Sequence, residues 1–155
     1  MLFALPLPAQ PLKVAVTNRV FAKLIDVLIM AAVSAILIYP LGPLLGFLYS
    51  ILADGMNFGP FKGQSVGKKI LKLQVVHVHS KNPVSYRDSM IRNAPVGVAT
   101  FFGIIPLWGW LILALIGVPL MIMEIYLMVT VEKGHRLGDA MGDTEVIEYP
   151  GHSRV

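Results

Sequence analysis

The chain of 155 residues contains no cysteine and few charged residues. The absence of cysteine excludes disulfide bonds and thiolate metal sites. Charged residues make up only 14% of the sequence and hydrophobic residues 55%, whereas about a quarter of a soluble domain is charged. A soluble core built from so short a chain could not bury this much apolar surface. The composition therefore predicts a single membrane domain.

Four apolar runs divide the sequence, and a transmembrane helix needs about 20 such residues. The first run (20–39) and the fourth (107–131) satisfy that length. The second (41–53) and third (94–105) are shorter and need flanking residues to cross. We expect four spans at about 20–39, 41–57, 91–106 and 107–131. Two spans with re-entrant middle segments remain an open alternative.

Basic residues are absent from the two connections that join the paired runs, at 39–41 and 106–107. All thirteen lysines and arginines fall in the N-terminal arm and first helical turn, the central segment or the C-terminal tail. The positive-inside rule then makes these three regions cytoplasmic, with both termini inside. Tyr39, Trp108 and Trp110 would lie at the outer interface, where amphipathic rings are enriched.

The central segment, 55–93, is the largest polar part of the chain. Leu71, Leu73 and Val75 alternate with polar residues, a pattern typical of a half-buried strand. Ser85 and Asp88 have the spacing of a capping box, which predicts an amphipathic helix after Ser85. Residues 144–149 could form a second short strand. We therefore expect a small cytoplasmic β element and an amphipathic helix beside an all-α membrane domain.

Two carboxylates, Asp26 and Glu124, lie inside apolar runs, where a charge costs a few kcal/mol or more. Each is seven residues, or roughly 10 Å, from the same predicted membrane boundary. Asp26 shares a helix face with Arg19 and Lys23. Asp26 is therefore either a structural ion-pair partner of these bases or an ion or proton site, with Arg19 as its charge partner. Glu124 would be a second acceptor or would extend towards the interface.

The remaining motifs predict lipid contact and helix packing. Gly63–Gly67 fits the G-x-S-x-G pattern but lacks the context of a hydrolase, and we expect neither an enzyme nor a bound cofactor or metal. The lysines expected to contact anionic head groups are Lys62, Lys68, Lys69 and Lys72. The small residues expected to allow close helix packing are Ala31, Ala35, Gly42 and Gly46.

Four motifs in order resemble the RDD family of bacterial polytopic membrane proteins. They are Arg19-x6-Asp26, GQSVGKKILKLQVV (63–76), SYRDSMIRN (85–93) and GHRLGDAMGDTEVI (134–147). The family is named for one arginine and two aspartates, which correspond here to Arg19, Asp26 and Asp139, with Asp54 and Asp143 as competing positions. The resemblance divides the chain into an arm (1–15), an RDD-like membrane domain (16–147) and a tail (148–155).

The resemblance implies a bacterial inner-membrane location and a role in transport, with cation/proton antiport proposed for some members. This chain departs from the usual pattern at Lys23 and Glu124. The leading hypothesis is transport of a cation or small solute coupled to protons, with Arg136 and Asp139 as a cytoplasmic gate or clasp. The alternative is a non-catalytic accessory subunit of a larger membrane complex. Expected partners are the lipid bilayer with anionic head groups and other membrane proteins or a second copy, but no nucleic acid.

Overall fold

The computed structural model describes residue 14 and residues 16–131 and 135–149. Apart from Val14, the predicted N-terminal arm lies outside the described residues, as does most of the predicted C-terminal tail. The described part is mostly helical, with one two-stranded sheet. The elements are α1 (Val16–Ile36), α2 (Leu41–Leu52), a 3-10 turn (Ala53–Gly55), α3 (Val66–Ile70), β1 (Leu73–His77), α4 (Tyr86–Phe102), α5 (Trp108–Ile112), a π-helical segment (Leu113–Gly117), α6 (Val118–Thr130), α7 (Leu137–Met141) and β2 (Thr144–Glu148).

Two serines begin helices in the central segment. Ser85 and Asp88 form the predicted capping box, with the Asp88 carboxylate accepting from the Ser85 backbone N–H at 2.9 Å. The helix that starts there, α4, continues through Pro95 to Phe102. The amphipathic helix and the third apolar run are therefore one helix, not two elements. Ser65 caps α3 with its hydroxyl oxygen alone, which accepts from the Lys68 backbone N–H at 3.4 Å.

Close packing of α1 on α2 depends on two glycines. A Cβ on Gly42 would lie 2.8 Å from the Ser34 carbonyl oxygen, and one on Gly46 would lie 3.0 Å from the Ser34 hydroxyl. The prediction that these glycines allow close helix packing is confirmed. Ala31 and Ala35 do not lie at the α1–α2 contact; both are exposed and line a cavity, and for them helix packing stays a prediction.

The two strands of the predicted β element, β1 and β2, are present and pair antiparallel. Val75 lies opposite Val146 and His77 opposite Thr144. An isolated strand pair is marginal unless it packs on something else. Here Leu73 lies in a buried cluster with Ala22 of α1, so the sheet is packed against the start of that helix.

The helices expose large apolar side chains. Residues Trp108–Thr130 form a 23-residue helical stretch long and apolar enough to cross a membrane, and only 11% of its most apolar window is buried. A core helix of a soluble protein would be mostly buried, so this stretch has the surface of a lipid-facing helix. Helix α1 has a similar length, 21 residues, but carries Arg19, Lys23 and Asp26. Helix α2 is shorter, with 12 residues.

Candidate functional site

A buried charge cluster lies where the start of α1, the end of α2, the start of α4, the end of α6 and the short helices α3 and α7 meet. Its members therefore come from elements that lie far apart in the sequence. Eight buried residues make up this site, and we call them the charge cluster: Arg19, Asp54, Lys68, Arg92, Asn93, Glu124, Arg136 and Asp139. Buried charges need partners, and the cluster supplies most of them internally.

Asp139 is the central acceptor of the cluster. Its carboxylate accepts hydrogen bonds from Arg19 of α1, Arg92 of α4 and Arg136 at the start of α7. The Arg136 Nε atom lies 3.3 Å from Oδ1, and the Arg136 backbone N–H lies at the same distance from Oδ2. The Asp139 side chain has no exposed surface. One carboxylate therefore holds three guanidinium groups and joins helices α1, α4 and α7.

Asp54 forms a second anchor beside the first. It pairs with Lys68 and lies 3.5 Å from Arg92 Nε and 3.8 Å from Arg136 Nη2. Asn93 donates to the same carboxylate at 3.2 Å. Because Arg92 and Arg136 contact both Asp54 and Asp139, the two aspartates and two arginines form one continuous network. Burial lowers the pKa of Lys68 to about 8, although the Asp54 charge opposes that shift.

Glu124 is the one carboxylate of the cluster with a buried oxygen that lacks a hydrogen bond among the described residues. One carboxylate oxygen lies 3.2 Å from Arg136 Nη1. The other oxygen, Oε1, is buried and meets no donor among the described residues. A buried acceptor without a partner costs about 1–3 kcal/mol, and more when it is charged. The Glu124 side chain borders a cavity.

Asp26 lies outside this network, and the prediction that Arg19 or Lys23 neutralises it is wrong. Its Oδ1 accepts from the Tyr49 hydroxyl at 2.6 Å and from the Gly67 backbone N–H at 2.8 Å. Its Oδ2 accepts from the Ser65 hydroxyl at 2.6 Å. The carboxylate thus binds the N-terminal end of α3 to α1. Arg19, seven residues earlier, is directed to Asp139.

Lys23 is half-buried on α1, on the side that faces α6. No hydrogen bond or ion pair to its amine is present within the described residues, although the charges of Asp54, Glu124 and Asp26 act on it. Lys23 therefore lies next to the charge cluster, but no member of the cluster binds its amine directly.

Two cavities meet at Lys23. The charged cavity, of about 210 Å³, is bordered by Lys23, Glu124 and several basic members of the cluster. The apolar cavity, of about 510 Å³, lies between α1, α2, α4 and the helical stretch Trp108–Thr130. Lys23, Val27 and Met121 border both. Asp26 borders neither cavity, so the two carboxylates at similar depth, Asp26 and Glu124, do not share one.

The lysines predicted to contact head groups have different roles. Lys68 is buried against Asp54, so that prediction is wrong for Lys68. Lys69 donates to the Pro60 carbonyl at 2.8 Å and lies over the Phe61 ring. Lys62 and Lys72 are exposed, and for these two lipid contact stays a prediction.

The charges around Asp139 predict how the stability of the protein depends on pH. Burial alone would raise the pKa of Asp139, but the charges of Arg92, Arg136 and Arg19 outweigh burial and hold this pKa well below its ordinary value. In the unfolded chain the carboxyl titrates near about 3.9. Below about pH 4 the unfolded chain therefore binds a proton that the native protein does not, and stability falls as the pH falls.

We expect the melting temperature in detergent to decrease between about pH 5 and pH 3. Asp143→Asn is the control, because the Asp143 side chain is 65% exposed, and this variant should keep the same decrease. A wild-type melting temperature that is constant over this interval would contradict the structural account.

The fold and the site together define a mostly helical membrane protein built around a buried Arg–Asp network. Residues 14–143 match the model of the RDD family, which is most of the chain. The chain belongs to the RDD family, as its motifs predict. Searches of curated proteins and of solved structures found no match.

Proposed function

We propose that this protein is a four-span inner-membrane transporter that moves a small solute along the two cavities, coupled to protons. The supporting observation is a pair of residues that border one cavity, Lys23 and Glu124. Among the described residues, the Lys23 amine and Glu124 Oε1 have no direct partner, whereas the other carboxylates of the charge cluster, Asp54 and Asp139, are paired. Unpartnered charged groups at membrane depth are costly and are generally retained for a function. Within the described residues, the same geometry offers no constellation of nucleophile, base and orienting group, so we propose no catalytic role.

Four spans are supported by where the cluster draws its residues. Arg19 is at the start of α1, Asp54 follows α2, Arg92 is near the start of α4, and Glu124 is near the end of α6. Helices that alternate in direction bring those four positions to the same end of a bundle. The cytoplasmic location of that end rests on the distribution of basic residues. Reporter fusions at Pro43 and Val155 test it, and a periplasmic signal at Val155 would overturn the orientation.

The solute that fits is one with an anionic group, in preference to a free cation. Five basic side chains approach the charged cavity, against the three carboxylates of Asp54, Glu124 and Asp139. Counting Asp26 as well still leaves a positive excess. Asp26 is a poor cation site, because hydrogen-bond donors already occupy both of its oxygens. We therefore assign proton exchange to Glu124.

Proteoliposomes with an internal pH dye test this assignment. We expect gradients of small organic anions or inorganic phosphate to drive a pH change with the wild type, and Glu124→Gln to reduce its rate at least about 10-fold. Glu148→Gln, at an exposed position on β2, is the matched control and should behave as wild type. The absence of flux with every tested anion and every tested cation would refute the transport proposal.

An accessory role is the second candidate, favoured by the near-complete pairing of the charge cluster. Basic side chains pair with both Asp139 and Asp54. Such a network can hold the helices rigidly together without exchanging a proton or an ion. This candidate predicts that extraction in mild detergent recovers a stoichiometric membrane partner. Purification of the protein alone or only with itself would count against it.

A further inference from the structure

We propose that the two cavities together bind one amphiphile, with an anionic, hydrogen-bond-donating head group in the charged cavity and a hydrocarbon chain in the apolar cavity. This inference rests on the proposed function in that it names the class of substrate carried by the same site.

The charged cavity selects the head group. Its excess of positive charge favours an anion, and the Lys23 amine is available to contact it. Glu124 Oε1 requires the opposite, a donor, because it is a buried carboxylate oxygen that meets none among the described residues. A head group that carries a phosphate and a hydroxyl or ammonium satisfies both groups at once. A simple inorganic cation would satisfy Glu124 but not Lys23.

The apolar cavity selects the chain. Its volume of about 510 Å³ is within the range of sites that enclose small ligands. Apart from Lys23, its polar side chains are mainly hydroxyls, and the Thr100 hydroxyl already contacts Ser50 at 3.0 Å. The other lining residues are mainly aliphatic or aromatic, among them Phe47 and Leu113. Such a wall offers a hydrocarbon chain favourable burial and a polar solute few partners.

The order of the two cavities matches the orientation of a lipid. The charged cavity lies near the end of the bundle that holds the charge cluster. The apolar cavity extends from Lys23 along α1 towards Ala35, away from that end. A lipid from the adjacent leaflet has its head at the same end and its chain directed to the bilayer centre. It could therefore enter between α1 and α6 without inverting.

Binding is measured on the purified full chain by native mass spectrometry, with phosphatidylglycerol, phosphatidylcholine and glycerol 3-phosphate as probes. Phosphatidylglycerol carries both an anion and hydroxyl donors. Phosphatidylcholine lacks a donor and a net charge, and glycerol 3-phosphate lacks the chain. We expect phosphatidylglycerol to bind at least about 10-fold more tightly than either of the other probes.

Two variants test the two halves of the site separately. Lys23→Met removes the amine at the head group, and Ala31→Phe fills the apolar cavity from α1. Each should weaken phosphatidylglycerol binding at least about 10-fold while the melting temperature stays near that of the wild type. The matched controls are Lys81→Met, at an exposed lysine that borders neither cavity, and Ala32→Phe, at the exposed neighbour of Ala31 that also borders neither. Both controls should bind within about twofold of the wild type.

Three results would overturn the inference: equal binding of the two lipids, equal binding of glycerol 3-phosphate, or binding that neither variant weakens. The transport proposal fails separately. Lipid binding without any flux in proteoliposomes would leave the inference standing and refute transport. Flux of a water-soluble anion without selective lipid binding would refute the inference and leave the transport proposal standing.

Discussion

Replacing Asp139 with asparagine should destabilise the protein by at least about 3 kcal/mol, the cost of removing one partner from a buried ion pair. The substitution removes the negative charge that contacts Arg19, Arg92 and Arg136 together. In asparagine an NH2 group takes the place of one carboxylate oxygen. This group is a hydrogen-bond donor and would face the guanidinium groups, which are also donors. We expect a sharply reduced yield and a lower melting temperature, measured as the loss of the monodisperse peak after heating in detergent.

Asp143→Asn is the matched control for this prediction. Asp143 is the same residue type four positions later, but its side chain is 65% exposed and its contact is with an exposed histidine, His79. Exposed ion pairs contribute about 0–1 kcal/mol, so this variant should melt close to the wild type. If Asp139→Asn and Asp143→Asn had equal melting temperatures, Asp139 would not be the centre of the cluster.

Replacing Gly67 with alanine should have the second-largest effect, about 2–3 kcal/mol, as expected for overpacking against rigid backbone. A Cβ on Gly67 would lie 2.1 Å from the Ala22 carbonyl oxygen and 3.0 Å from the Asp26 carboxyl carbon. Helix α3 must then move away from α1. That movement would lengthen the hydrogen bonds from the Gly67 N–H and the Ser65 hydroxyl to Asp26.

Gly117→Ala is the control for Gly67→Ala. The nearest atom to a Cβ on Gly117 is a Leu113 methyl group at 3.0 Å, the flexible end of a side chain. Gly117 is also within a helical stretch, where alanine is favoured by up to about 1 kcal/mol. Thermal unfolding of the two variants should therefore differ clearly. Equal stability would show that the α1–α3 contact tolerates a methyl group and that the close approach does not constrain Asp26.

Local sequence patterns predicted most of the elements. The Ser85–Asp88 spacing located the start of α4, and alternation in 71–75 located the start of β1 to within two residues. These signals are short-range, because capping and alternation depend on residues a few positions apart. The close packing at Gly42 and Gly46 was also predictable, since it requires only two small residues on one helix face.

The pairing of charges was not predictable in the same way. Helical spacing made Arg19 and Lys23 the obvious partners of Asp26, but Arg19 pairs with a carboxylate 120 residues away. Asp26 is satisfied mainly by hydroxyl and backbone donors, which carry no charge pattern that a sequence would reveal. The sequence also predicts an exposed Lys68 for a related reason: its partner, Asp54, follows a different apolar run.

The position of Asp139 along the chain has a consequence for biogenesis. A ribosome makes Arg19 and Arg92 long before it makes Asp139, which lies in the last helix of the described residues. Until that helix emerges, α1 and α4 carry two guanidinium groups without the carboxylate that joins them in the finished protein. Closure of the bundle is therefore a late event that follows translation of α7. A chain that stops before Asp139 would therefore lack the carboxylate that joins Arg19, Arg92 and Arg136.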